Sequence, residues 1–162
     1  MIYDEELIIK DLIAMIQANF NTKVAAINAE KNDSLVLETI PTDRYIFETL
    51  DSRLMNYKGF FIMYGLVDNP IKEKSNGNVI EDVTITVQVG TFDKGEKERS
   101  NTLYKLLRYR RVLREIIIEN PEVFRGYAKS LVASLKPNAF PFDNNSVMLT
   151  IGVDVTASIT AV

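Results

Sequence analysis

The spacing of apolar residues alternates between steps of three or four and steps of two along the chain, and each switch marks an element. Ile8, Leu12, Met15 and Ile16 recur at helical spacing, with Ile9 and Ile13 widening the stripe, so residues 4–20 predict a first helix. Asp4, Glu5 and Glu6 stand at its start, where negative charge suits the helix dipole. A break is expected at Asn19 to Thr22. A second short helix follows over Lys23 to Lys31, with Val24, Ala25 and Ala26 packed and Asn28 and Glu30 toward water, and Asn32-Asp33 stops it. Leu35 to Thr39 predicts a short strand that Pro41 interrupts. Arg44 to Leu54 fits one or two helical turns better than an irregular segment packed on the core.

Gly59 to Val67 is apolar at successive positions, the mark of a strand covered on both faces. Asp68 to Asn78 reads as one long polar loop between strands. From Val83 to Phe92 the alternation is strict: Val83, Ile85, Val87 and Val89 share one face, and Thr84, Thr86 and Gln88 the other. A charged turn, Asp93 to Asn101, leads into a helix over Thr102 to Asn120 that Pro121 ends. Glu122 to Leu135 predicts a further short helix, with Phe124, Tyr127, Leu131 and Leu135 on one side, and Lys136 to Asn145 a loop. Val147 to Ile159 alternates again and predicts a long amphipathic strand. The fold class that results is a single α+β domain over 1–162, a mostly antiparallel sheet of about four strands with helices packed on one face.

The helix from Thr102 to Asn120 is the hardest element to satisfy. At about 100° per residue, Leu103, Leu106, Leu107, Leu113 and Ile117 fall on one arc, with Arg110 inside it and Arg114 near it. Tyr109, Val112 and Ile116 make a second apolar patch. Tyr104, Arg108, Arg111 and Glu115 form the polar stripe. Arg110 either extends past the core edge, its stem packed there, or pairs with a carboxylate, in an assembly one across a subunit boundary. One apolar patch then packs on the chain's own sheet. The other, with Tyr109, Arg110, Val112, Arg114 and Ile116, is the candidate subunit interface.

Composition removes much chemistry. The chain contains 0 His and 0 Cys, so disulfides, thiolate sites and catalysis by Ser-His-Asp or Cys-His sets are excluded. What remains is carboxylate and lysine chemistry, chiefly magnesium-assisted cleavage of phosphodiesters. That alternative, a small nuclease, would draw on Asp93 and Glu96 in the turn, yet Glu96-Lys97 and Glu73-Lys74 lack the Glu-x-Lys spacing on a strand. A DNA-binding module using Arg108 and Arg111 is a third reading. Acidic Glu98 and Glu115 nearby and a net charge of −3 speak against it. Gly90 and Gly95 lack the spacing of a phosphate loop; Gly90 fits a bend or bulge at a strand end. No catalytic, cofactor-binding or metal-ligating residues are assigned. The N-terminus is acidic where a secretory signal is positive, and no apolar run reaches the length of a spanning helix, so no membrane partner is expected.

Three stretches carry a resemblance: the first helix followed by KVAAINAEKND and a short strand, the strand GFFIMYGLV, and the unit VTITVQVGTFDKGEKERSNTLYKLLRYRRVLREII closed by a final strand. Together they resemble the tail terminator and tail-completion (neck) proteins of long-tailed bacteriophages. Leu106, Leu107, Arg110, Arg111 and Leu113 match that family's leucine-and-arginine helix loosely, while the segment Pro121 to Asn145 is longer than the family pattern. The resemblance implies a virion structural protein without enzymatic activity or cofactor, assembled in the host cytoplasm and residing in the tail or neck. Its partners would be copies of itself in a ring, typically a hexamer, the tail tube protein and the head–tail connector proteins, with DNA passing through the ring.

Overall fold

The structure, a computed structural model, describes residues 5–47, 58–67, 71–73, 79–93, 98–121, 130–141 and 146–161. Two helices lie on one face of a mostly antiparallel sheet, an α+β architecture. The sheet path has five strands, and two short strands pair beside it.

Helix α1 spans Glu5–Lys31 without interruption. The expected break at Asn19 to Thr22 is absent, because that run contains no proline or glycine and Phe20 continues the stripe. Ile8, Leu12, Met15, Ile16, Phe20, Val24 and Ile27 are all buried along one side. Asn19 uses its amide Nδ2 to donate to the Met15 carbonyl at 2.8 Å, within the helix. Asn32, at φ 44, takes the left-handed conformation that ends the helix, and its N–H donates to the Asn28 carbonyl.

Residues 35–40 are extended but belong to no strand. Their partner is the side-chain edge of α1. The Asn28 side chain accepts from Leu37 N–H at 2.8 Å and donates to Leu37 C=O at 2.9 Å. Asn21 does the same for Ile40, at 3.0 and 3.4 Å. The spacing explains the fit: seven helical residues advance about 10.5 Å, and three extended residues about 10 Å. Each asparagine amide thus stands in for the peptide group of a neighbouring strand. Asn28, expected toward water, is half-buried for this reason.

A short turn at Thr42–Arg44 leads into β1, Tyr45–Phe47, which pairs parallel with β2, Phe60–Val67. Strand, not helix, opens the stretch predicted helical from Arg44; residues 48–57 lie outside the described residues. β2 is covered on both faces only at its start: Phe60 and Ile62 join the main core, Phe61 the opposite face, and Leu66 and Val67 are exposed. The predicted loop at 68–78 contains β3, Ile71–Glu73, which forms a hairpin with the start of β4, Val79–Asp93. β4 and β7, Val147–Ala161, pair in unbroken antiparallel register from Val79↔Ala161 to Asp93↔Val147. This ribbon is the spine of the sheet.

Between them in sequence come α2, Arg99–Glu119, and an edge made of β5, Ser130–Ser134, and β6, Asn138–Pro141. The helix predicted over Glu122 to Leu135 is corrected from Ser130 onward, where the chain is strand; 122–129 lie outside the described residues. The predicted loop likewise holds β6. From Ser134 to Asn138 the edge advances four residues while β7 moves three, Val153 to Thr150, so one residue is extra and the edge bulges. Pro137, which has no N–H to give a ladder, sits in that bulge.

Gly90 lies within the unbroken β4–β7 register, not at a bulge. Its lack of a side chain is required by Phe61, whose ring atom Cζ would stand 2.6 Å from an added Cβ. On this second face Phe61, Phe92 and Met148 form a small apolar cluster. Farther along, Thr84 bonds Thr156 at 2.8 Å and Thr86 donates to Asp154 at 2.7 Å.

Candidate functional site

Helix α2 presents three different sides. Leu106, Tyr109, Val112, Leu113, Ile116 and Ile117 are its buried residues, and it packs on β4, β5, β7 and α1. Tyr109, Val112 and Ile116, three of the five candidate interface residues, are each 0% exposed within the single chain. The Tyr109 ring stacks on Phe20 of α1 with centroids 5.9 Å apart and lies 4.8 Å from Phe60 of β2. Its hydroxyl donates to the Glu38 carbonyl at 2.6 Å. The second apolar patch is therefore covered by α1, which is longer than the sequence pattern predicts, and not by a neighbour. That part of the interface reading is corrected: only Arg110 and Arg114 of the five reach the surface.

Arg110 resolves its own ambiguity differently from either expectation. Its Nη1 donates to the Leu135 carbonyl at 2.7 Å, while Leu135 N–H donates to Gly152 C=O at 2.9 Å. The arginine thus satisfies a carbonyl of the edge bulge. No carboxylate is needed, because a backbone carbonyl accepts from the guanidinium as a charge-assisted bond.

A second side of α2 is ionic and faces α1. Arg108 holds both Asp33 carboxylate oxygens, one at 2.9 Å, and also donates to the Leu35 carbonyl. Arg111 holds both Glu30 oxygens at 2.7 Å and Glu115 at 2.6 Å. Lys23 meets Glu119 at 2.7 Å and Glu115 at 3.6 Å, and Lys105 reaches Glu38 at 3.4 Å. Residue numbers fall on one helix as they rise on the other, as an antiparallel pair requires. Hydrogen bonds from Arg111 hold the Glu30 carboxyl below the usual carboxylate range, and those from Arg108 do the same for Asp33. The two arginines of the DNA-binding reading are thus occupied by carboxylates of their own chain.

The third side faces outward. Tyr104, Leu107, Arg111, Arg114 and Ile118 follow steps of three and four, a stripe along one helix face. Tyr104 is 59%, Leu107 39% and Ile118 61% exposed, and Arg114 is exposed between them. Beside its N-terminal half an open groove of about 500 Å³ runs between Tyr104, Leu107 and Leu35. Sequence reasoning placed Tyr104 on the polar stripe, as it is found, but put Leu107 on the core arc and did not single out Ile118 as surface. Working the wheel from the buried residues, not from hydrophobicity alone, separates them.

At the opposite side of the molecule, over β1 and β2, a second open groove of about 400 Å³ is lined by Glu6, Ile9, Lys10, Phe47 and Leu66. Glu6 and Lys10 form an exposed pair one helical turn apart there.

Of the residues considered for phosphodiester chemistry, Asp93 pairs with Arg99 at 3.1 Å. Glu96, Lys97 and Lys74 lie outside the described residues, and Glu73 lies on β3. Among the described residues, no three acidic side chains come together as a metal would require. No helix among the described residues is long and apolar enough to cross a membrane. No protein-family model matches the sequence, and no curated protein matches it.

Proposed function

We propose that this chain is a structural subunit of a bacteriophage virion: a tail terminator, or a closely related neck protein, that forms a ring on the end of the tail tube. The observation that carries this reading is the outward stripe of α2. The chain already closes its own core around α2, yet Tyr104, Leu107 and Ile118 stay in water with Arg114 among them. A large apolar stripe beside a cation favours a protein contact. The order of elements supports it too: a first helix, a strand–turn–helix unit and a long closing strand are what the resemblance to terminator proteins rests on.

In this reading the subunits meet through heterologous contacts that close by rotation, typically six to a ring. The ring stops polymerisation of the tube, meets the connector proteins on the head side, and leaves a passage for DNA. It performs no reaction and needs no cofactor. The test is polymerisation of tail tube protein with and without this chain. Tubes should stop growing and carry a cap when it is present. Growth unaffected by excess chain refutes the proposal.

A further inference from the structure

We infer that the lateral contact of the ring joins the outer stripe of α2 on one copy to the groove at the β1 edge on the next. This inference rests on the ring reading above and names the surfaces that would build it.

Three observations lead to it. First, the two surfaces lie on opposite flanks of the subunit. α2 packs on β4, β7 and β5, and Arg110 ties it to the bulged edge at Leu135. α1 lies over the other flank, where Phe20 meets Tyr45 of β1 and the groove is lined by Phe47 and Leu66. A head-to-tail contact needs two different patches on opposite flanks, whereas a two-fold dimer needs one patch that matches itself. Second, one surface is a ridge and the other a hollow. Ile118 and Leu107 project from α2 on either side of Arg114, and the groove across the subunit has a mainly apolar lining. Third, each surface carries a charged group that can pair across the contact. Arg114 is exposed in the middle of the stripe, and Glu6 stands at the rim of the groove. The present partner of Glu6 is Lys10, in an exposed pair with side chains 70% and 66% open to water, which holds it only weakly. Arg114 of a neighbouring copy can replace or share that lysine as the groove closes and dries.

Lattice addition through sheet edges is the competing way to join copies, and the fold obstructs it. The β5–β6 edge is broken by a bulge and carries Pro137 and Pro141, and among the described residues β1 offers only three.

The experiment is a charge exchange. Wild type, Arg114→Glu, Glu6→Arg and the chain carrying both changes are each mixed with tail tubes. Capped tube ends are counted by electron microscopy, and ring-sized species by native mass spectrometry. Both positions are exposed, so circular dichroism should show an unchanged fold. Each single change should lower capping at least about tenfold, as should Ile118→Glu, and the double change should restore most of it. If the single variants and Ile118→Glu cap like wild type, the lateral contact lies elsewhere while the ring reading stands. Singles that fail without rescue by the double overturn the Arg114–Glu6 pairing. A wild type that neither caps nor assembles overturns both.

Discussion

Tyr109 ties together α1, β2 and the extended connector through one side chain: its ring meets Phe20 and Phe60, and its hydroxyl reaches the Glu38 carbonyl. The two parts of that role are separable. Tyr109→Phe keeps the rings and leaves the carbonyl without its donor, which should cost about 1 kcal/mol. Tyr109→Ala empties the site and should cost about 3–5 kcal/mol. Urea unfolding measures both, and equal losses would show that the ring packing contributes little. Gly152 offers a sharper case. A Cβ there would stand 2.0 Å from the Val87 carbonyl oxygen, which is backbone of the central ribbon and cannot rotate aside. Gly152→Ala should destabilise the chain by about 3 kcal/mol or more. At Gly65 nothing lies within 4 Å of the added atom, so Gly65→Ala should change stability by less than about 1 kcal/mol. Similar melts for the two variants would contradict the close approach at Gly152. Neither glycine's role was legible in the sequence: Gly65 sits in a run apolar at successive positions and Gly152 in an alternating one, and neither pattern reports what lies across the sheet. Only the cross-strand register separates them.

At the scale of elements, α1 organises the connector as well as the core. Asn28→Ala would leave the Leu37 N–H and C=O without partners in a buried place, a loss of about 1–3 kcal/mol, and Asn21→Ala should act likewise at Ile40. Hydrogen exchange should then speed up at Leu37 or Ile40 before it does in β4. Protection unchanged at those amides would refute the clamp. The ion ladder between α1 and α2 makes a pH prediction. Glu30 and Asp33 titrate below their ordinary values of 4.5 and 3.8 in the folded chain, so folding favours their ionised forms. Their contribution is complete above about pH 5 and is lost as the pH falls through the lowered folded values. The melting temperature should drop over that acid range, and the combined Glu30→Gln and Asp33→Asn chain should show a shallower drop. Identical pH profiles would mean that the ladder contributes nothing. Much of this level was legible: the α1 stripe, the alternation in β4 and β7, and, Leu107 apart, the two apolar patches of the α2 wheel correspond to buried faces. The asparagines and threonine around Phe20 misled because a few polar residues do not by themselves end a helix. The strand at Ser130–Ser134 was missed because a short SLVAS segment has no period of its own and is extended by its neighbour β7. The asparagines two turns apart were the readable signal for the clamp.

At the scale of the molecule, the helical wheel could not distinguish cover by a second element from cover by a second subunit. Both impose the same buried pattern on Tyr109, Val112 and Ile116, and α1 supplies the cover. What remains outward is narrower and more useful: Leu107, Arg114 and Ile118 on one flank, and a groove beside Glu6 on the other. Both are surfaces of a chain with a closed core, which is the condition for a subunit that folds first and assembles afterwards. The most direct test of that account is electron microscopy of tail tubes grown in the presence of the purified chain. The account predicts tubes of stopped growth, each with a ring of several copies at one end. Tubes that keep growing with bare ends, beside a chain that stays monomeric, would contradict it.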